Sequence, residues 1–199
     1  MKKSLLEIYN SRPWDVKFQG SNDKNVIHSY IPIYAELFAK YRDTECRVLE
    51  VGIFAGVSLR MWEEYFHLGK VCGIDVNDCP YGADLRPMIA EGTHDIRLLD
   101  ASNPAEVARL FPPGEMFDVI IEDASHMLEH QLAIYANFKD RLNPGGIYVI
   151  EDVADIDAHR ALFEGIDLSR EVEIIDLRPV KHRFDDVLVV IRCRQSSMT

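Results

Sequence analysis

The sequence predicts an α/β protein built on an open, mostly parallel seven-stranded sheet, with helices at its N-terminus and an antiparallel hairpin at its C-terminal edge. Three observations predict it. Five short Val/Ile-rich runs recur at residues 47–51, 71–76, 96–99, 117–121 and 147–150. The stretches between them, roughly 15–25 residues each, carry helical patterning, as crossover helices between buried parallel strands do. Two further runs, at 172–177 and 187–191, have no helical stretch between them, so residues 178–186 read as the connection of a hairpin.

The first 45 residues read as a helical cap or lid, and residues 46–199 as the α/β body, within one domain overall. Arg12-Pro13-Trp14 breaks the first helix, and Gly20-Ser21-Asn22-Asp23-Lys24 is a turn-rich loop. Ile27, Tyr30, Ile31, Tyr34, Leu37, Phe38 and Tyr41 then recur at steps of three and four, the apolar stripe of an amphipathic helix. That spacing makes Tyr30, Tyr34 and, further on, Trp62 core residues first and pocket residues second.

Composition excludes several functions. A 199-residue chain with 47% hydrophobic and 28% charged residues can bury a two- or three-layer core. The 22 basic and 33 acidic residues give a net charge of −11, which opposes nonspecific binding to nucleic acid or to an anionic membrane. No apolar run approaches the roughly 20 residues of a membrane-spanning helix. The N-terminus meets Glu7 before any signal-like apolar stretch develops. Cys46, Cys72, Cys79 and Cys193 form no C-x-x-C pair, so they read as reduced thiols of a cytoplasmic protein.

In an open α/β sheet, ligands bind beyond the carboxyl ends of the strands. After the first strand stands Glu50-Val51-Gly52-Ile53-Phe54-Ala55-Gly56-Val57-Ser58, either a cofactor loop or an ordinary tight βα turn. Its spacing is not G-x-G-x-x-G, and Glu50 would repel a pyrophosphate, so a cationic or amino-bearing ligand is preferred. Asp75 ends the second strand, placed to accept from two ribose hydroxyls or to cap a helix. Asp100, followed by Ala101, ends the third, suited to a purine amine or to capping the helix near Pro104.

Strands four and five end in Glu122-Asp123-Ala124-Ser125-His126 and Glu151-Asp152. Asp123, Glu151 and Asp152 meet in one crevice if these strands are neighbours. Carboxylates so placed raise one another's pKa unless a cation intervenes, and hard oxygen ligands suit Mg2+, Mn2+ or Ca2+. His126, three residues after Asp123, becomes a general-base candidate beside such a cluster, since an imidazole titrates near pH 6.5. His130, one helical turn on, is a weaker rival.

Together these residues resemble the class I S-adenosylmethionine-dependent methyltransferases. More narrowly, they are similar to the Mg2+-dependent O-methyltransferases of macrolide and other natural-product sugars, of the mycinamicin and macrocin type, a pattern shared with cephalosporin-hydroxylase-like proteins. The resemblance runs from about Ser21 to Ile191. It rests on Ser21-Asn22-Asp23-Lys24 with His28 and Tyr30, on Leu49-Glu50-Val51-Gly52 with Gly56 and Ser58, on Met61-Trp62 with Tyr65-Phe66, and on Gly73-Ile74-Asp75. It rests above all on Asp123-Ala124-Ser125-His126 combined with Pro144-Gly145-Gly146-Ile147-Tyr148-Val149-Ile150-Glu151-Asp152.

The resemblance implies a Rossmann-like class I methyltransferase fold, with residues 46–199 as the S-adenosylmethionine-binding catalytic domain. It implies a cofactor site of Glu50, Gly52, Gly56, Ser58, Asp75, Asp100, Ala101 and Asp123, with Glu50 and Gly52 at the methionine end, Asp75 at the ribose and Asp100 near the adenine. It implies a Mg2+ or Mn2+ site of Asp123, Glu151 and Asp152, and His126 as catalytic base. Lys24, His28 and Tyr30 are then lid or substrate contacts. The implied reaction is methyl transfer to a hydroxyl of a sugar or glycosylated natural product, a small-molecule acceptor. No nucleic-acid or membrane partner is expected, and a homo-oligomer is compatible. Two alternatives stand beside it: a catechol or amine acceptor, and a nucleotide- or dinucleotide-binding Rossmann protein that transfers no methyl group.

Overall fold

The structure, a computed structural model, describes residues 2–11, 22–79 and 84–193. The predicted break at Arg12-Pro13-Trp14 and residues Gly20 and Ser21 of the turn-rich loop lie outside them.

The chain runs α1 (Leu5–Asn10), α2 (Tyr30–Leu37), β1 (Arg47–Val51), α3 (Val57–Tyr65), β2 (Lys70–Asp75), α4 (Arg86–Glu91), β3 (Asp95–Leu98), α5 (Pro104–Leu110), β4 (Phe117–Glu122), α6 (Leu128–Phe138), β5 (Leu142–Ile150), α7 (Ile156–Glu164), β6 (Glu171–Asp176), α8 (Arg178–Lys181) and β7 (Val187–Arg192). The sheet order is β3-β2-β1-β4-β5-β7-β6. Strands β1 to β5 pair in parallel, and β7 pairs antiparallel with both β5 and β6. The strand order reverses at β1, which pairs with β2 on one side and β4 on the other. Crevices in doubly wound sheets open at such a reversal.

Alternation along the strands builds the two core layers. Val48, Val119, Ile121, Ile147, Val149, Leu188 and Val190 face one side and pack with Leu5, Ile8, Tyr30, Tyr34, Phe38 and Trp62. Leu49, Val51, Ile120, Tyr148, Ile150, Val189 and Ile191 face the other, against Val107, Ile134, Phe138, Ile156 and Phe163. Helices α1 and α2 thus share one core layer with the sheet.

Local chemistry explains several boundaries. Ser4 and Glu7 form a reciprocal capping box that starts α1. Asn103 caps α5 by accepting from the Ala105 amide, with Pro104 at the first helical position. The apolar stripe from residue 27 to 41 is helical only over α2. Before it, the amides of Ile27 and His28 turn back onto the Asp23 carbonyl, and the Ser29 amide donates to Oδ1 of Asp186. The hairpin connection, expected without a helix, holds the single turn α8 with Pro179 in its first turn. All four cysteines are free. Among the described residues, no helix is long and apolar enough to cross a membrane.

Candidate active site

The tips of β1, β2, β3 and β4 enclose an open cleft of about 220 Å³. Gly52, Asp75, Asp100, Ala101 and Asp123 line it, with Phe54, Val76, Ala124, Ser125, His130 and Ile134. Gly52 has φ +89°, and a Cβ there would lie 2.0 Å from the carbonyl oxygen of Asp123, so only glycine lets the β1 turn pass so close to the β4 tip. Asp75 accepts the amides of Ile53 (3.1 Å), Phe54 (2.8 Å) and Val76 (2.8 Å). It therefore braces the β1 turn while lining the cleft. Burial lifts its pKa, and the three amides pull the other way. Asp100 is exposed and accepts from the amide and hydroxyl of Ser102; the cap of α5 is Asn103.

Glu50, Gly56 and Ser58 stand outside the lining of that cleft. Glu50 is fully buried and accepts from Ser58 Oγ (2.9 Å) and Trp62 Nε1 (2.9 Å), with Lys24 Nζ at 3.7 Å. Burial pushes its pKa up to about 7 against the pull of Lys24. A Cβ on Gly56 would meet Met88 Sδ at 2.3 Å, which places this glycine in the packing of α4 against the α3 turn.

At the cleft's β4 edge lies a cluster of acids. Lys24 Nζ donates to Asp123 Oδ2 (2.5 Å) and to both oxygens of Glu151 (2.8 Å each). Lys24 is 1% exposed. Burial opposes its charge, but the carboxylates of Asp123, Glu151 and Glu50 outweigh burial and hold its pKa well above the ordinary value. Part of the cation that the acidic strand tips require is thus internal, supplied by the N-terminal segment.

Tyrosines secure the acids from below. Tyr34 donates to Glu151 Oε1 (2.6 Å) and Tyr30 to Asp152 Oδ1 (2.6 Å). With Trp62 on Glu50, these aromatics belong to the core by their rings and to the site by their polar tips. Burial, then the charge of Asp123, raises the Asp152 pKa to about 8. Burial and Asp123 likewise raise that of Glu151.

His126 precedes α6 in a left-handed conformation (φ +59°), as do Phe54 (φ +47°) after β1 and Asp152 (φ +54°) after β5. Three non-glycine residues at strand tips thus hold backbone angles that cost about 1–2 kcal/mol each. The left-handed turns aim His126 Nε2 to within 3.6 Å of Asp152 Oδ2 and 4.0 Å of Asp123 Oδ1. Asp123, His126 and Asp152 can present one ligand atom each within 4.8 Å of one another, as residues around a shared metal ion do. Glu151 is adjacent but stands outside that group, with both oxygens on Lys24.

Lys24, His28 and Tyr30 are all fully buried and reach the acids from within the fold. The sequence marks His130 only as a weaker rival to His126, and Glu122 and Asp186 escaped the sequence reading. His130 lines the cleft and pairs with Ser125 Oγ through Nδ1 at 2.7 Å. Glu122 points into the opposite core layer, 1% exposed, with Oε2 unpaired and its pKa raised by burial to about 8. Asp186 reaches His28 from the β7 side. Chain position marks His130 as a candidate but carries no signal for Glu122 or Asp186.

No protein-family model matches the chain. The 8-demethyl-8-alpha-L-rhamnosyl tetracenomycin-C 2'-O-methyltransferase of Streptomyces olivaceus is 35% identical over 139 residues, covering 66% of this chain and 35% of that protein. The mycinamicin VI 2''-O-methyltransferase of Micromonospora griseorubida is 35% identical over 160 residues, covering 76% of this chain and 37% of that protein. The chain thus spans about a third of the length of the curated relatives it matches. A solved structure, the MycE methyltransferase from the mycinamycin biosynthetic pathway in complex with Mg, SAH and mycinamycin VI, superposes with a TM-score of 0.70 at 22% identity. That match covers 99% of this chain and 55% of MycE. The chain is thus similar in sequence to these O-methyltransferases over about a third of their length, and it shares the Rossmann-like fold of MycE.

Proposed function

We propose that the chain is the catalytic part of an S-adenosylmethionine-dependent, divalent-metal-dependent O-methyltransferase acting on a hydroxyl of a sugar or glycosylated natural product. The observation that carries this reading is the junction at Asp123. Its side chain lines the cleft on one side and faces His126 and Asp152 on the other, so a donor in the cleft and an acceptor at the acids share one boundary.

The residues present suit both groups. In the cleft, Val76, Ala101 and Ile134 offer apolar contacts to a purine, and Asp75 and Asp100 offer acceptors for hydroxyl or amine protons. At the acids, the carboxylates of Asp123 and Asp152 converge with the His126 imidazole beside them as base, and the raised pKa of Asp152 marks a site that gains from a further cation. When bound, S-adenosylmethionine supplies a cationic sulfonium methyl, and the divalent ion supplies a Lewis acid that lowers the pKa of an acceptor hydroxyl.

The chain's own residues do the rest. Asp123 and Asp152 would hold the divalent ion, and the positioning it would give an acceptor hydroxyl supplies a large share of the rate in such reactions. His126, 40% exposed on its side chain, is open to an acceptor and takes the hydroxyl proton on Nε2. Lys24 holds Asp123 and Glu151 in place, and Tyr30 fixes Asp152 through its hydroxyl. Transfer would form the new O–C bond as the sulfonium S–C bond breaks and leaves the neutral thioether, so charge is neutralised as the reaction proceeds. The test is transfer of labelled methyl from S-adenosylmethionine to panels of sugar diols, catechols and amines, with and without Mg2+. Preference for a sugar hydroxyl supports the reading, and preference for an amine overturns it.

A further inference from the structure

His28 is fully buried, yet neither ring nitrogen has a hydrogen-bond partner. Buried polar groups are nearly always paired, so an orphaned imidazole points to a missing ligand. Its surroundings are anionic. Nε2 lies 3.7 Å from Oδ2 of Asp23, and Nδ1 lies 3.3 Å from Oδ1 of Asp152 and 3.5 Å from Oδ1 of Asp186. The neighbouring bases are engaged elsewhere: Lys181 donates to the carbonyls of Asn25 and His28, Arg183 pairs with Asp185, and Lys24 serves Asp123 and Glu151.

We propose that Asp23, His28 and Asp152 form a second divalent-cation subsite, selective for a transition metal, beside the carboxylates of Asp123 and Asp152 that the proposed function gives to Mg2+. One ligand atom from each of the three lies within 4.8 Å of the others. Ligand atoms about 2.1 Å from a tetrahedral ion stand about 3.4 Å apart, and Asp23 Oδ2 lies 3.7 Å from Nε2. Nε2 on the Asp23 side is the nitrogen free for metal. A carboxylate behind Nδ1, the place of Asp186, is the arrangement that fixes the tautomer of a ligating histidine. The two subsites share Asp152, whose Oδ1 faces His28 and Oδ2 faces His126. An imidazole with two carboxylates suits Zn2+, Mn2+ or Fe2+ better than Mg2+, which prefers oxygen alone. Asp23, with its side chain 36% exposed, is the route of entry.

This subsite goes beyond the proposed function and is separable from it. The test uses Zn2+ as the probe and reads metal bound per chain after gel filtration. Wild type is expected to retain two zinc ions. Asp123→Asn, which disables the first cluster and the proposed methyl transfer, should keep one. Adding the partly exposed Asp23→Asn, or His28→Ala, should remove that ion, with circular dichroism confirming the fold of each variant. In the Asp123→Asn background, the visible spectrum of bound Co2+ should also change on His28→Ala. The proposal is overturned if Asp123→Asn retains no zinc, or if its remaining zinc is indifferent to Asp23→Asn.

Discussion

The ammonium of Lys24 lies 2.5 Å from Oδ2 of Asp123, a contact that ties the N-terminal segment to the tip of β4 across 99 positions of sequence. The same Nζ meets both oxygens of Glu151. One buried lysine thus serves as counter-ion to acids from two adjacent strands, and leaves Asp123 and Asp152 facing His126.

Removing that lysine strands its partners. Breaking a buried ion pair from one side costs about 3–5 kcal/mol, because the other charge stays buried and uncompensated. Lys24→Met is expected to lose stability of that order in urea unfolding without added metal. Saturating divalent ion should recover part of the loss, since a cation then replaces the ammonium among the same acids.

Asp123 is the group through which cleft and acids meet. Asp123→Ala is expected to abolish methyl transfer while S-adenosylhomocysteine affinity, measured by calorimetry, stays within about tenfold, or about 1.4 kcal/mol. Equal collapse of both would show that Asp123 serves the cleft alone.

Glu122 gives a pH signature separate from catalysis. Burial raises its pKa to about 8, and Oε2 is unpaired, so the folded protein keeps the acid protonated where the unfolded chain would ionise it. The stability this provides is fully present below the ordinary carboxylate value of 4.5 and is lost as pH rises through about 8. Between pH 6 and 9, Tm of the wild type should therefore fall more than Tm of Glu122→Gln.

Gly52→Ala tests the approach of β1 to β4. The new methyl would lie 2.0 Å from the Asp123 carbonyl oxygen, at φ +89°. The angle alone costs about 1–2 kcal/mol. The clash must also push the β1 turn away from Asp123, so cofactor affinity should fall together with Tm.

Much of the fold was legible because Val/Ile runs report burial on both faces of a parallel sheet. The β1 span was read to the residue, and the other strands among β1–β4 and β6–β7 to within a residue at each end. The start of β5 was not. Asn143-Pro144-Gly145-Gly146 has the composition of a turn, yet it continues the strand where the pairing with β4 shifts register between Phe117 and Val119. The convergence of Asp123 and Asp152 was likewise legible, since both follow neighbouring strands. The burial of Lys24 was not, because a lone lysine in a polar loop carries no sign of the three acids it will meet. Periodicity marked Tyr30, Tyr34 and Trp62 as core but is silent on where a hydroxyl or indole N–H points. Each of those polar tips ends on a site carboxylate.

The most direct test of the proposed chemistry is methyl transfer from labelled S-adenosylmethionine to a glycosylated acceptor with adjacent free hydroxyls, measured in Mg2+ and again in excess chelator. The account predicts O-methyl product in Mg2+, its loss in chelator and its return when the metal is restored. Undiminished transfer in chelator would contradict it.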